Sequence, residues 1–175
     1  MTSDLVVLSR IIGSASRVVV LSGAGLSAAS GIPTYRGEGS ETWSGLGTTS
    51  QREMVKKDLA GLWHWYEVRR RLVAACAPNQ GHFAIAEMAR HIPRLTLVTQ
   101  NIDGLHQRAG SEDVLEVHGS LWQAKGVRCS HKQALPPGAI EIPPRCTLCG
   151  HPLRPDIVNV FSNVPWRLPQ GVMSC

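Results

Sequence analysis

The chain has 175 residues, room for one ordinary domain or a core with a small subdomain, and 43% hydrophobic against 18% charged residues excludes intrinsic disorder. No apolar run approaches the ~20 residues needed to span a bilayer, so a membrane-spanning helix is excluded. The net charge of +5 comes from scattered basic residues, clustered only at Arg69, Arg70 and Arg71 and without interleaved aromatics, so no specific nucleic-acid binding is expected.

In chain order, Leu5, Leu8, Ile11 and Ile12 form a helical stripe within residues Thr2 to Arg17, which reads as an amphipathic first helix. Arg17 to Ser22 is a short β-branched run, as expected of a strand buried on both faces of a parallel sheet. It leads directly into Gly23-Ala24-Gly25-Leu26-Ser27. A glycine turn after a strand is where α/β folds place phosphates, because the backbone can approach closely and the next helix offers N–H groups. Residues Gly31 to Thr49 read as a long loop, and Gln51 to Ala77 favour helix. Asn79 is placed to cap a further helix through Arg90. Arg94 to Thr99 reads as a second buried strand ending in Gln100-Asn101-Ile102-Asp103, and Val114 to Val117 as a third ending in His118-Gly119. Three polar clusters therefore fall at the C-terminal ends of three strands, the edge where open parallel sheets bind ligands.

Residues Val127 to Pro155 differ in character, with prolines, glycines and paired cysteines that suggest a small insertion. Two Cys-x-x-Cys pairs would signal a structural metal site, and Cys146-Thr-Leu-Cys149 supplies one. The other position reads Cys129-Ser-His-Lys132, which leaves three thiolates, with His131 or His151 as an alternative fourth ligand. Cys76 is expected to be a buried structural thiol and Cys175 an exposed terminal one. Five cysteines, an odd number, without a secretory segment point to a reducing compartment, and a cytoplasmic location is expected.

Taken together, Gly23 to Gly37, Thr99 to His106 and Glu116 to Ser120 resemble the sirtuin family of NAD-dependent protein deacylases, over residues 5 to 158. The resemblance implies a Rossmann-like α/β core with a parallel sheet over residues 1–120, carrying a helical module at about 38–92. It implies a small zinc-ribbon-like subdomain over 121–155, with a divergent tail at 159–175. The family's later Gly-Thr-Ser turn is absent, so the sheet is expected to be incomplete and the sequence truncated at its C-terminal side. Besides an active deacylase, the readings are an inactive fragment that only binds a partner, a product that does not fold, and a protein ADP-ribosyltransferase.

By the same resemblance, Gly23, Ala24, Gly25 and Ser27 form the pyrophosphate cradle of NAD. Thr34, Tyr35 and Arg36 belong to the cofactor loop, and Gln100, Asn101 and Asp103 to the nicotinamide-ribose pocket. His118 is expected to be the catalytic base, taking a proton from a ribose hydroxyl after the acyl oxygen displaces nicotinamide. The products are nicotinamide, free lysine and O-acyl-ADP-ribose. Tyr66 and Arg69, at i and i+3 on one helical face, resemble the pair that selects succinyl-, malonyl- or glutaryl-lysine, with a snorkelling Arg69 as the alternative. Zinc at Cys129, Cys146 and Cys149, with Lys132 departing from the family pattern, and acyl-lysine protein substrates complete the expectations.

Overall fold

The computed structural model describes residues 3–34 and 51–158. Its elements run α1 (Ser3–Ser14), β1 (Arg17–Ser22), α2 (Ala24–Ala28), α3 (Gln51–Lys57), α4 (Leu59–Ala75), α5 (Gln80–His91), β2 (Arg94–Thr99), α6 (Leu105–Arg108), β3 (Val114–Glu116), β4 (Gly119–Gly126), β5 (Lys132–Ala134) and β6 (Leu153–Ile157). The β-branched runs pair as a parallel sheet in the order β1-β2-β3, and the later strands as an antiparallel sheet in the order β5-β4-β6. No described helix is long and apolar enough to cross a membrane.

Register decides where the polar clusters meet. Ser22 lies opposite Thr99, and Thr99 opposite Glu116, so the three strands end abreast. Bonds from Gln100 N–H to Ser22 O and from Val117 N–H to Thr99 O, both 3.0 Å, carry the pairing one residue further. The segments that follow the strands are thereby brought to one edge.

Two expectations are corrected. The strand at Arg17–Ser22 is not buried on both faces, because β1 is an edge strand and Val19 and Leu21 stay 64% and 66% exposed among the described residues. The helix at Ser3–Ser14 forms, but Leu5, Leu8 and Ile11 on its stripe are exposed as well. The stretch Gln51 to Ala77 is helical as expected, in two helices that meet where the Asp58 side chain accepts the Gly61 N–H at 2.8 Å and starts the second. The Asn79 cap forms as expected, its side chain accepting the Gly81 N–H at 2.9 Å.

Helix α4 joins the parts of the molecule. One face places Leu62, Tyr66 and Val73 against Ile32, Leu105, Leu121 and Ile157. The other seats Trp63 among Ala124, Leu135, Cys146 and Leu153, with its indole N–H donating to Leu153 O at 2.7 Å. Arg70, which is 1% exposed, pairs with Glu67 at 3.1 Å and donates to the carbonyls of Leu121 (2.7 Å) and Pro136. It is a buried clamp between helix and second sheet. Arg70→Ala leaves two carbonyls without their donor and the Glu67 carboxylate with only the 3.3 Å bond from exposed Arg71, a loss of about 3–5 kcal/mol for a broken buried pair. Urea unfolding should show that loss, whereas Arg71→Ala, on an exposed side chain, should cost under about 1 kcal/mol.

Candidate functional site

At the edge where the strands end, Gly23 lies in extended backbone, and a Cβ at Gly23 or Gly25 would meet nothing within 4 Å. The backbone of the glycine turn is therefore open to close approach by a ligand. Helix α2 is only one turn long, so this access rests on the bare backbone more than on a helix end. Ser27, 1% exposed, donates to Asp103 Oδ2 at 2.7 Å. Asn101 Nδ2 donates to Gly23 O at 3.0 Å and to Ser27 Oγ at 3.1 Å, and Asp103 Oδ1 accepts the Leu105 N–H at 2.8 Å. The loop after β2 is thus bonded to the turn after β1. Gly104, at φ +75°, lets the chain reverse against the Trp122 ring, whose indole N–H donates to Asp103 O at 2.6 Å. Gln100 is exposed at the rim.

Behind this edge lies a buried set of bonds that the motif reading does not assign. The Ser22 hydroxyl donates to Thr99 Oγ1 and meets His106 Nε2, each at 2.8 Å, and Thr99 Oγ1 also accepts the Asn101 N–H at 3.1 Å. With the Ser22 proton directed to Thr99, His106 carries its proton on Nε2. His82 Nδ1 accepts the Asn79 N–H at 3.3 Å, so its proton sits on Nε2. The two rings lie 5.0 Å apart between centroids, and His82 Nε2 and His106 Nδ1 are buried without partners. A proton added to His82 breaks the cap bond, and one added to His106 creates a second unpaired donor. Burial accordingly holds both imidazoles below their ordinary 6.5, with the nearby Asp103 carboxylate partly opposing.

His118 is half-buried between β3 and β4, and burial lowers its pKa from 6.5. Glu116, two residues earlier, is raised by burial, with hydrogen bonds from Gln107 and Ser120 opposing. Thr34 is half-buried at the end of the first described stretch, while Tyr35 and Arg36 lie outside the described residues, as does Cys175. Tyr66 and Arg69 are each 5% exposed on α4. The Arg69 guanidinium lies 3.2 Å over the Trp65 ring and donates to Trp65 O at 2.7 Å. Its position is buried, unlike that of a side chain reaching for solvent.

Cys129, Cys146 and Cys149 come together, with Cys129 Sγ 3.7 Å from Cys146 Sγ and 3.5 Å from Cys149 Sγ. No histidine or carboxylate joins the three sulfurs among the described residues, so the rings of His131 and His151 lie outside the cluster. Lys132 pairs with Asp156 at 2.6 Å. Cys76 is half-buried rather than buried, its thiol directed to Leu72 O at 3.4 Å.

The signs of the histidine shifts set a pH dependence. Above 6.5 both folded and unfolded states are neutral at His82, His106 and His118, and the three histidines cost the fold nothing. Below 6.5 the unfolded chain takes up protons first, so stability falls until the lower folded values are reached; Glu116, shifted the other way, opposes the fall at lower pH. Urea midpoints measured from pH 7.5 downward should decline below 6.5, and His106→Gln should flatten that decline; an unchanged slope would reject the assignment.

Among known proteins, the Sir2 family model matches residues 23–172, continuing past Val158, where the motif resemblance ends. An NAD-dependent protein deacylase of Methylococcus capsulatus is 43% identical, with 86% of this chain aligned to 63% of the relative. NAD-dependent protein deacylase 2 of Pyrobaculum aerophilum is 42% identical, with 90% aligned to 65%. The chain thus spans just under two thirds of the length of these relatives. The ADP-ribose complex of a mutant Sir2 homologue superposes with a TM-score of 0.79 at 37% identity, covering 94% of this chain and 66% of that one. A Sir2 homologue–NAD complex superposes at 0.73 and 35% identity, covering 90% and 62%. The parallel strand ends, the bonded Ser27–Asn101–Asp103 cluster and a family match over most of its length show that the chain belongs to the Sir2 family.

Proposed function

We propose that these residues form the catalytic site of an NAD-dependent protein-lysine deacylase acting on acyl-lysine proteins, with a preference for acidic acyl groups. The observation that carries the reading is the Ser27–Asn101–Asp103 cluster beneath an open glycine turn, with His118 at the end of the neighbouring strand. The residues fit the dinucleotide. Gly23 and Gly25 leave space that a side chain would fill, and the amides of Gln100 and Asn101 beside the Asp103 carboxylate form a donor and acceptor set suited to a ribose and a carboxamide. Thr34, Tyr35 and Arg36 follow as the expected cofactor loop.

When bound, NAD supplies the ribosyl carbon that accepts the acyl oxygen, with nicotinamide as leaving group. Asp103 and Asn101 act mainly by position, since their bonds to Ser27 and the Gly23 carbonyl fix the turn. His118 is the proton acceptor. Its lowered pKa keeps the imidazole neutral at pH 7, and partial burial shields the transferred proton from solvent. Tyr66 and Arg69 form the acyl-selecting pair; a distal carboxylate would meet the guanidinium now lying over Trp65, with the Tyr66 hydroxyl as a second donor. Zinc held by the three cysteines would brace the second sheet without touching the reacting atoms, and thiolates of this kind suit a reducing compartment such as the cytoplasm.

Incubation of the purified protein with NAD and a succinyl-lysine peptide should release nicotinamide, and a protein that folds but gives none contradicts the reading. His118→Ala should lower turnover by about 10²–10⁴-fold, the usual worth of a general base. The acid limb of the wild-type pH–rate profile should fall below 6.5, because His118 loses its base form only under its lowered value. Arg69→Met should abolish desuccinylation and spare deacetylation; equal loss of both would reject the acyl-pocket role.

A further inference from the structure

The three-cysteine cluster differs from a closed structural zinc site in a way that has a chemical consequence. Around a tetrahedral ion with metal–sulfur bonds of about 2.3 Å, neighbouring sulfurs sit roughly 3.8 Å apart. The observed 3.7 and 3.5 Å, with all three sulfurs within 4.8 Å of one another, match three corners of that tetrahedron. The corners are held by backbone. N–H groups of Cys149 and Leu148 point at the Cys146 sulfur, and that of His131 at the Cys129 sulfur. Gly150, at φ +69°, closes the turn with a bond to Cys146 O at 2.9 Å. Gly126 makes room on the other loop, since a Cβ there would lie 2.3 Å from Cys129 Sγ.

The fourth corner has no protein ligand among the described residues. Lys132, whose ammonium cannot coordinate a metal, is committed to Asp156 across the sheet. His131 and His151 use their backbone carbonyls to accept from Gly126 and Cys146, while their rings stay out of the cluster. Cys149 is exposed, so the cluster reaches solvent, and exposed Arg128 adjoins Cys129 in sequence, whereas Arg145 is paired with Glu141 and donates to Gly150 O at 3.2 Å.

We propose that the centre binds zinc through Cys129, Cys146 and Cys149 and leaves its fourth position open to an external ligand, a small-molecule thiol bound as thiolate. The step is a ligand exchange: the incoming thiol gives its proton to the buffer, a zinc–sulfur bond forms, and a solvent oxygen departs. Arg128, next to Cys129 in sequence, adds positive charge that favours the anionic donor. The inference rests on the zinc reading above and is independent of the deacylase reading.

Cobalt(II) is the probe, because its visible bands report the number of sulfur ligands. The 175-residue protein should bind one equivalent of cobalt with a three-thiolate spectrum, and added 2-mercaptoethanol should shift the bands saturably. Lys132→Cys should show the four-thiolate spectrum from the start and no thiol response. Wild-type protein that binds cobalt but ignores the thiol overturns the open position and leaves the zinc reading standing. Wild-type protein that binds neither cobalt nor zinc, measured by competition with a chromophoric chelator, overturns both. The wild-type titration decides the matter even where Lys132→Cys does not fold.

Discussion

The buried hydrogen bond from Ser27 to Asp103, 2.7 Å long, is the contact on which the site depends. It joins the segment after β1 to the segment after β2, two stretches 76 residues apart in sequence. The strands bring these segments to one edge through register alone, and without the bond each would be an ordinary surface loop. Asn101 reinforces it from the same loop by holding both Ser27 and the Gly23 carbonyl. A charge-assisted bond to a carboxylate, formed out of water, contributes about 1.5–3 kcal/mol. That is enough to hold the glycine backbone in an open form that a nucleotide can approach.

Stability and chemistry share residues here. His82 caps α5 through its ring, and His106 steadies Ser22 and Thr99 beneath the site, so two titratable groups are buried as neutral rings. Arg70 does comparable work between α4 and the second sheet, bringing a full charge into the interior because Glu67 and two carbonyls receive it. Each arrangement makes the fold sensitive to a single substitution, while His118 remains only half-buried and able to exchange a proton.

Much of this was legible in the residues. The β-branched runs Arg17–Ser22 and Arg94–Thr99 announce parallel strands, Asn79 announces a cap, and the glycine turn, the Asn-Ile-Asp segment and His118 fall where strands end. What was not legible depends on tertiary context. Nothing local in Asp58 distinguishes a helix interior from a new start, and the Val18–Val20 run does not reveal whether a neighbour covers it. The pairing of His82 with His106 needs the register of α5 against α6. Histidines three residues from an N-cap and two residues after an Asp-Gly turn were the available signal, and only the fold brings them together. Among the cysteines, spacing supplies one pair, while the exclusion of His131 and His151 needs coordinates.

The Ser27–Asp103 bond shapes the backbone to which NAD is proposed to bind. Calorimetric titration of the purified 175-residue protein with NAD, beside Ser27→Ala at matched folding by circular dichroism, tests it most directly. Saturable binding by the wild-type protein is expected, with a loss of roughly tenfold or more in affinity for the variant, the worth of one charge-assisted bond. Equal affinity in the two proteins, or no binding by a folded wild-type protein, would contradict it.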